Sequence, residues 1–159
     1  MLQLGYEIMR RRTEICAIEF SDIIHIPKAR YALNLRSSKT DQYGEGKLLP
    51  ISETLVELIN NWKHKANLEH GKILRGFFKG KSIRDKLNPS SINNILKQLQ
   101  AEAQINDMGE LSGHSFRVGG AIDMLSKGIP LERIMLRGGW KSDKTAMRYL
   151  RNWQEDLWF

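Results

Sequence analysis

Two adjacent glycines lie inside a stretch that otherwise has a helical pattern, and they constrain how the chain can pack. Gly119 and Gly120 fall within a helix predicted from Gly113 to Lys127, which Gly128 would end at a C′ position. A glycine inside a helix is less stable than alanine by roughly 0.5–1 kcal/mol, so these glycines need a structural reason. Together with Ala121 they form a run of small residues. We therefore expect another backbone to approach this helix closely.

Most of the remaining chain is predicted to be helical. Apolar residues recur at helical spacing, and the caps are recognisable. Ser52 is a suitable N-cap, and Asn88 followed by Pro89 matches an N-cap with proline at the first helical position. The further helical segments are predicted at 2–18, 52–66, 88–103, 131–136, 142–150 and 151–159.

A small antiparallel sheet is predicted between the first and second helical segments. Ser21 to Ile26 forms a short strand before Pro27, and Tyr31 to Leu35 alternates like a half-buried strand. Lys47 to Ile51 returns as a third strand, and the hairpin before it carries Lys39. The predicted fold class is therefore α+β, mainly helical, with one small three-stranded antiparallel sheet.

Length and composition favour one globular domain. The chain has 159 residues, of which 41% are hydrophobic, and no apolar run is long enough to cross a bilayer. Its single cysteine, Cys16, excludes an intramolecular disulfide, and its four histidines lack zinc-motif spacing. These features disfavour a metal-dependent enzyme. The N-terminus has no secretion-signal pattern, so we expect an intracellular protein.

Charge indicates the class of partner. The formal net charge is +7 and the pI is about 9.6, which favours a polyanion, with nucleic acid ahead of an anionic membrane. No segment combines a basic face with strong membrane character, so a membrane partner is disfavoured. Nucleic acid is therefore the favoured class of partner.

Three short motifs contain residue types suited to chemistry on a phosphate. Arg11 and Glu14 are three residues apart on one helical face, and so are His114 and Arg117. Gly138-Gly139-Trp140 precedes Tyr149 by one short helix. Each motif alone has an ordinary explanation, namely a solvated basic turn, a coincidence or a core tryptophan. Their significance comes from their joint occurrence, in this order, on a basic chain.

As an ordered set, these motifs resemble the tyrosine recombinase family, the phage integrases and their relatives. The matching stretches cover nearly the whole chain, and they are Arg11–Glu14, Phe20–Ile23, Ser37–Asp41, Gly113–Gly119 and Gly138–Asn152. The resemblance implies a recombinase catalytic domain over residues 1–159, with double-stranded DNA as its partner, in a cytoplasmic protein of bacterial, phage or plasmid origin. Members usually carry a separate N-terminal domain that grips DNA. Its expected absence would make this chain a fragment.

The resemblance also implies roles for five residues. Tyr149 would be the nucleophile, and Arg11 and Arg117 would clamp the scissile phosphate. Lys39 would be the general acid, and His114 would donate or accept a proton. The expected product of cleavage is a 3′-phosphotyrosyl intermediate, which a 5′ hydroxyl of another strand resolves without ATP, metal or cofactor.

The remaining roles concern the surroundings of the phosphate. Trp140 would donate a hydrogen bond to it, at a position where many members have histidine, and Glu14 would support the site as a neighbouring acidic residue. Trp140 keeps an N–H donor but loses a titratable group. A basic connector from Gly71 to Lys86 supplies the candidate DNA contacts, which are Lys79, Lys81, Arg84 and Lys86.

The chemistry agrees with these assignments. Attack on a phosphodiester builds negative charge on the non-bridging oxygens, which two planar guanidinium groups can stabilise without a metal ion. A tyrosine hydroxyl with a pKa of about 10 needs such neighbours to attack at neutral pH. Tyr6, Tyr31 and Tyr43 are rival nucleophiles. Tyr6 lies outside every motif, Tyr31 falls on the expected apolar face of a strand, and Tyr43 falls in a turn.

Two questions remain open at this level. The aromatic segment 151–159 either folds back on its own core or docks into a neighbouring subunit of a homotetramer on DNA. The shared chemistry also allows a type IB topoisomerase, which rejoins the same strand. A catalytically inactive DNA-binding protein is a third possibility, although every motif position is filled.

Overall fold

A computed structural model describes residues 1–28, 30–35, 47–78 and 82–150. For Tyr149 it describes the backbone and not the side chain. Within these residues the chain forms seven α-helices and one three-stranded sheet, which confirms the predicted fold class. None of the described helices is long and apolar enough to span a membrane. In chain order the elements are α1 (Leu2–Ile8), α2 (Arg12–Ala17), a 3₁₀ turn (Phe20–Asp22), β1 (Ile23–Ile26), β2 (Arg30–Leu35), β3 (Lys47–Ile51), α3 (Glu53–Lys65), α4 (Pro89–Glu102), α5 (Gly113–Ser126), α6 (Leu131–Gly138) and α7 (Asp143–Leu150).

The helix predicted from Leu2 to Ile18 is wrong, because the chain breaks between α1 and α2. Met9 ends α1 in the left-handed region, with φ at 51°. Arg11 is then extended and caps α2, where its backbone N–H donates to Glu14 Oε2 at 3.0 Å. A glutamate at this position satisfies a free N–H at the helix start. Arg10 is left between the two helices.

The sheet has the order β1-β2-β3, and both pairings are antiparallel. Leu33 lies at its centre, opposite Ile23 on one side and Leu49 on the other. Ala32 and Leu33 are both 0% exposed, so the middle of β2 is covered on both faces and the expected half-buried alternation is wrong there. Residues 36–46, which include the predicted acid Lys39, lie outside the described residues.

The caps predicted for α3 and α4 are confirmed. The Ser52 hydroxyl accepts the backbone N–H of Leu55 at 3.1 Å. The Asn88 side chain accepts the backbone N–H of Ser90 at 3.0 Å, and Pro89 is the first residue of α4. These bonds satisfy N–H groups that have no partner within the helix.

The described residues of the basic connector after α3 are joined by backbone hydrogen bonds. Its two halves pair as an irregular ribbon, in which Gly76 N–H donates to Lys86 O at 3.3 Å and Arg84 N–H donates to Gly76 O at 2.8 Å. Phe78 N–H donates to Ser82 O at 2.9 Å near the tip. The predicted DNA contacts Arg84 and Lys86 therefore lie on a hydrogen-bonded ribbon. Residues 79–81 lie outside the described residues.

Two hydrophobic clusters hold the elements together. The larger one joins the sheet to α1–α4, and Ile8, Ile15, Leu33 and Ile92 are fully buried in it. On α4, Ile92 and Leu96 are buried in this cluster, whereas Leu99 is 38% exposed. The smaller cluster joins α5, α6 and α7 and consists of Met9, Ala121, Ile134, Trp140, Ala146 and Leu150.

Gly120 of α5 lies where α1 packs against this helix, which confirms the expected close approach. A Cβ on Gly120 would lie 2.7 Å from Met9 Cγ and 3.0 Å from the Tyr6 carbonyl oxygen. On the other helix, a Cβ on Gly5 would lie 2.6 Å from the Phe116 ring. Gly119 has open space around it, so only its neighbour is required for packing.

This contact predicts opposite effects for two adjacent substitutions. Gly120→Ala should destabilise the protein by about 1–3 kcal/mol, because the added methyl group meets the backbone of α1. Gly119→Ala should stabilise it by roughly 0.5–1 kcal/mol through helix propensity alone. Urea denaturation of both variants measures the difference. Equal effects of the two substitutions would contradict the packing described here.

Candidate active site

Helix α5 holds the predicted His114 and Arg117 one turn apart. Its start is defined by Ser112, whose hydroxyl accepts the His114 backbone N–H at 3.2 Å. The backbone N–H of Ser112 donates in return to the Ser115 hydroxyl at 3.0 Å. This reciprocal cap fixes His114 in the first turn of α5 and Arg117 in the next.

Arg117 is buried against Trp140. Arg117 is only 4% exposed, and its guanidinium carbon lies 4.8 Å from the centroid of the Trp140 ring. A cation over an aromatic face is attracted by the ring quadrupole, which offsets part of the loss of hydration. Trp140 also belongs to the smaller hydrophobic cluster. The ordinary explanation of Trp140 as a core anchor is therefore correct, and the same ring orients Arg117.

The glycines before Trp140 make room for its ring. A Cβ on Gly138 would lie 2.3 Å from that ring. Gly139 ends α6 in the left-handed region, with φ at 68°, which glycine adopts without strain. The Gly-Gly-Trp motif is therefore a helix end that turns the tryptophan back under its own helix.

His114 is held in its neutral form. Partial burial lowers the pKa of His114, and the positive charge of Arg117 lowers it further. Both effects disfavour the imidazolium, so the ring is a proton acceptor at neutral pH.

Helix α7 brings residue 149 to the same group of helices. It packs on α5 and α6, and its residues Ala146 and Leu150 are 0% and 4% exposed. At its start, the Ser142 hydroxyl accepts the Thr145 backbone N–H at 3.2 Å. The side chain of Tyr149 itself is not among the described parts of the chain.

Arg11 lies at the surface beside this group. Its side chain is 65% exposed and its Nη1 lies 3.7 Å from Glu14 Oε2, a geometry that contributes little to stability. The starts of α2 and α5 nevertheless touch, since a Cβ on Gly113 would lie 3.2 Å from Arg12 Cβ. The predicted Arg11 and His114 therefore lie at adjoining helix starts, while Arg117 is buried behind them.

Arg10 is a residue of this region that the motif analysis missed. It is only 5% exposed, and a Cβ on Gly139 would lie 1.9 Å from its Nη1, so its guanidinium packs directly on that glycine. Burial lowers the pKa of Arg10. The run of three arginines, 10 to 12, is visible in the sequence, but the spacing to Glu14 favours Arg11 alone.

Two further cations accompany Arg10, and the three together are termed the basic cluster (Arg10, Lys47 and Arg137). Arg137 donates from Nε to Glu7 O at 2.7 Å and from Nη2 to Pro50 O at 3.0 Å. Lys47 donates to Leu136 O at 2.7 Å, and burial, followed by the charge of Arg10, lowers the pKa of Lys47. These bonds join α6 to α1 and to β3.

The ribbon carries exposed cationic and aromatic groups. Arg84 lies over the Phe78 ring, with its guanidinium carbon 3.9 Å from the centroid. Phe77 and Phe78 are 63% and 55% exposed. Of the four predicted DNA contacts, Arg84 and Lys86 are thus placed on the ribbon. Lys79 and Lys81 lie outside the described residues.

The chain is similar to known DNA recombinases. The model of the phage integrase family matches residues 1–155. The Cre recombinase of Escherichia phage P1 is 24% identical over 164 residues, covering 95% of this chain and 48% of Cre. The XerA recombinase structure matches 97% of this chain and 52% of its own, with a TM-score of 0.73 and 18% identity. A lambda integrase dimer bound to a COC′ core site matches 97% of this chain and 53% of its own, with a TM-score of 0.68 and 19% identity. The chain thus spans about half the length of these relatives.

The environment of His114 predicts its titration. In an NMR pH titration His114 should change protonation below the ordinary histidine value of about 6.5, because burial and Arg117 both disfavour its charge. Arg117→Gln should raise the pKa of His114, whereas Arg133→Gln, at an exposed position of α6, should leave it unchanged. A wild-type midpoint at or above the ordinary value would refute this electrostatic description.

Proposed function

Because the chain belongs to the phage integrase family, we propose that it is a site-specific DNA recombinase that cuts and rejoins strands through Tyr149. The observation that carries the proposal is the buried Arg117 stacked on Trp140, within the three helices that include residue 149. A permanently charged fork held in place by an aromatic ring suits a phosphate oxyanion. We infer the type of reaction from the recombinases to which this chain is similar.

Arg117 would stabilise the charge that develops during attack. Its planar guanidinium can donate two parallel hydrogen bonds to the non-bridging oxygens of the scissile phosphate. Because burial and stacking fix its position before DNA arrives, little reorganisation is needed in the transition state. Arg11 would reach the same phosphate from the exposed start of α2, where Glu14 restrains it. Trp140 would add a hydrogen bond from its indole N–H.

In the proposed transesterification, one proton leaves the attacking phenol and one proton is delivered to the departing 5′ oxygen. The Tyr149 phenol oxygen bonds to phosphorus as the bond from phosphorus to the 5′ oxygen breaks, and the phenol proton passes to His114 or the phosphate. Lys39 protonates the departing 5′ oxygen. The 3′-phosphotyrosyl bond retains the energy of the broken linkage. A 5′ hydroxyl from another strand can therefore reverse the steps without ATP, metal or cofactor.

The other tyrosines are poorer nucleophiles. The Tyr6 hydroxyl donates to the Asp123 carboxylate, and this hydrogen bond, with burial and the carboxylate charge, raises the pKa of Tyr6 to about 12. Tyr31 lies in β2, where it packs edge-on against His25 at 5.2 Å between ring centroids. Tyr43 lies outside the described residues. These contexts favour Tyr149.

The proposed nucleophile is tested with a nicked suicide DNA substrate. Wild type and Tyr6→Phe should form a covalent protein–DNA adduct, and Tyr149→Phe should form none, because it lacks the attacking oxygen. Denaturing gel electrophoresis resolves the adduct from free protein. Adduct formation by Tyr149→Phe, or its loss in Tyr6→Phe alone, would exclude Tyr149 as the nucleophile.

We further propose that segment 151–159 joins subunits into a homotetramer on DNA.

We also propose that the ribbon binds double-stranded DNA through Lys79, Lys81, Arg84 and Lys86. This proposal is supported by the net charge of +7 and by the placement of Arg84 on the exposed Phe78. Phosphate contacts by cations release counterions, so binding should weaken steeply with salt.

The salt dependence of DNA binding measures whether Arg84 of the ribbon contacts a phosphate. Arg84→Gln should reduce the magnitude of the slope of log Kobs against log salt by about 1, the value for one phosphate contact. The matched variant Arg133→Gln removes the same charge from α6 and should leave the slope unchanged. Fluorescence anisotropy over a salt series gives both slopes. An unchanged slope for Arg84→Gln would place DNA elsewhere.

A further inference from the structure

We propose that Arg10 is an additional phosphate-binding residue of the active site, whose buried guanidinium takes an oxygen of the DNA phosphodiester held by Arg117. The inference rests on the proposed recombinase function and names a residue outside the motifs discussed above. Its ligand is the negatively charged phosphodiester group itself. No base or sequence is involved.

The first argument is the hydrogen bonding of the side chain. Arg10 is 5% exposed, yet within the described residues its Nε and Nη2 have no hydrogen-bond partner. Arg137 of the same basic cluster shows what a structural arginine looks like, since it donates to the carbonyl oxygens of Glu7 and Pro50. A buried cation with unused donors is strongly unfavourable unless a ligand completes it.

The second argument is the charge around Arg10. Its electrostatic neighbours are Glu14, Arg11 and Arg137, and its charge also acts on Lys47. Glu14 is the single carboxylate among these and already lies 3.7 Å from Arg11 Nη1. Glu7 acts on Arg137, so four cations (Arg10, Arg11, Lys47 and Arg137) gather with two carboxylates, and the excess of positive charge favours an anion.

The third argument is location. The Arg10 guanidinium packs on Gly139, and the next residue, Trp140, carries Arg117 over its ring at 4.8 Å. Two guanidinium groups therefore approach the end of α6 from different parts of the chain. Gly139 permits this approach, because any side chain there would displace Arg10.

The fourth argument is the backbone that directs Arg10 inward. Met9 has a φ of 51°, which is uncommon for a residue other than glycine and implies that the surroundings stabilise it. The break turns Arg10 into the protein and leaves Arg11 65% exposed at the surface. A continuous helix from α1 to α2 would not separate the two arginines in this way.

The proposal is tested with Arg10→Met, which removes the buried charge and keeps an unbranched side chain. Its melting temperature should equal or exceed that of wild type, because an uncompensated charge is lost, while adduct formation on the nicked substrate should slow by roughly 10²-fold. Arg133→Met removes the same charge from an exposed site and should cleave at the wild-type rate. A lower melting temperature or loss of folding in Arg10→Met would overturn the proposal, because it would show a structural role.

A second substrate separates phosphate binding from a general defect. With a methylphosphonate at the cleavage position the phosphate is neutral, so the rate ratio of wild type to Arg10→Met should shrink. An unchanged ratio would overturn the assignment. If wild type itself forms no adduct on the ordinary substrate, the proposed function fails. If wild type cleaves and Arg10→Met cleaves equally fast, only the role of Arg10 fails.

Discussion

The stacking of Arg117 on Trp140 is the contact on which the site depends. Trp140 is part of the hydrophobic cluster beneath α5, α6 and α7, so the packing that stabilises this half of the protein also positions the guanidinium. A mobile surface arginine would have to be ordered in every catalytic cycle. Here the free energy of folding has already ordered it, which is the condition under which a charged group stabilises a transition state most effectively.

Two glycines, Gly120 and Gly139, allow the N-terminal part of the chain to pack against α5 and the end of α6, next to the contact between Arg117 and Trp140. Gly120 lets α1 approach α5, and the chain that leaves α1 reaches the end of α6, where Gly139 accepts the Arg10 guanidinium. Contact in both places requires the absence of a side chain. Adjacent Gly119 has open space, so the glycines of the motif are not equivalent, and only close packing distinguishes them.

Sequence reasoning succeeded where the determinants are local. The caps at Ser52 and Asn88, the strands and the end of α5 follow from residues a few positions apart. It failed at Met9, because methionine is not a signal for the left-handed region and the conformation is stabilised by tertiary contacts. The burial of Arg10 was equally hidden, since it depends on Gly139, which is distant in sequence.

The three consecutive arginines show how a fold gives identical side chains different physical properties. Arg10 is buried with unused donors, while Arg11 is exposed beside Glu14 and the adjoining Arg12 packs its Cβ near Gly113. A protein that keeps unsatisfied donors in its interior is less stable than it could be. A ligand that satisfies them binds the folded state selectively and restores that stability. The strain at Met9 and the burial of Arg10 therefore have one common explanation, which is a site built to be completed by an anion.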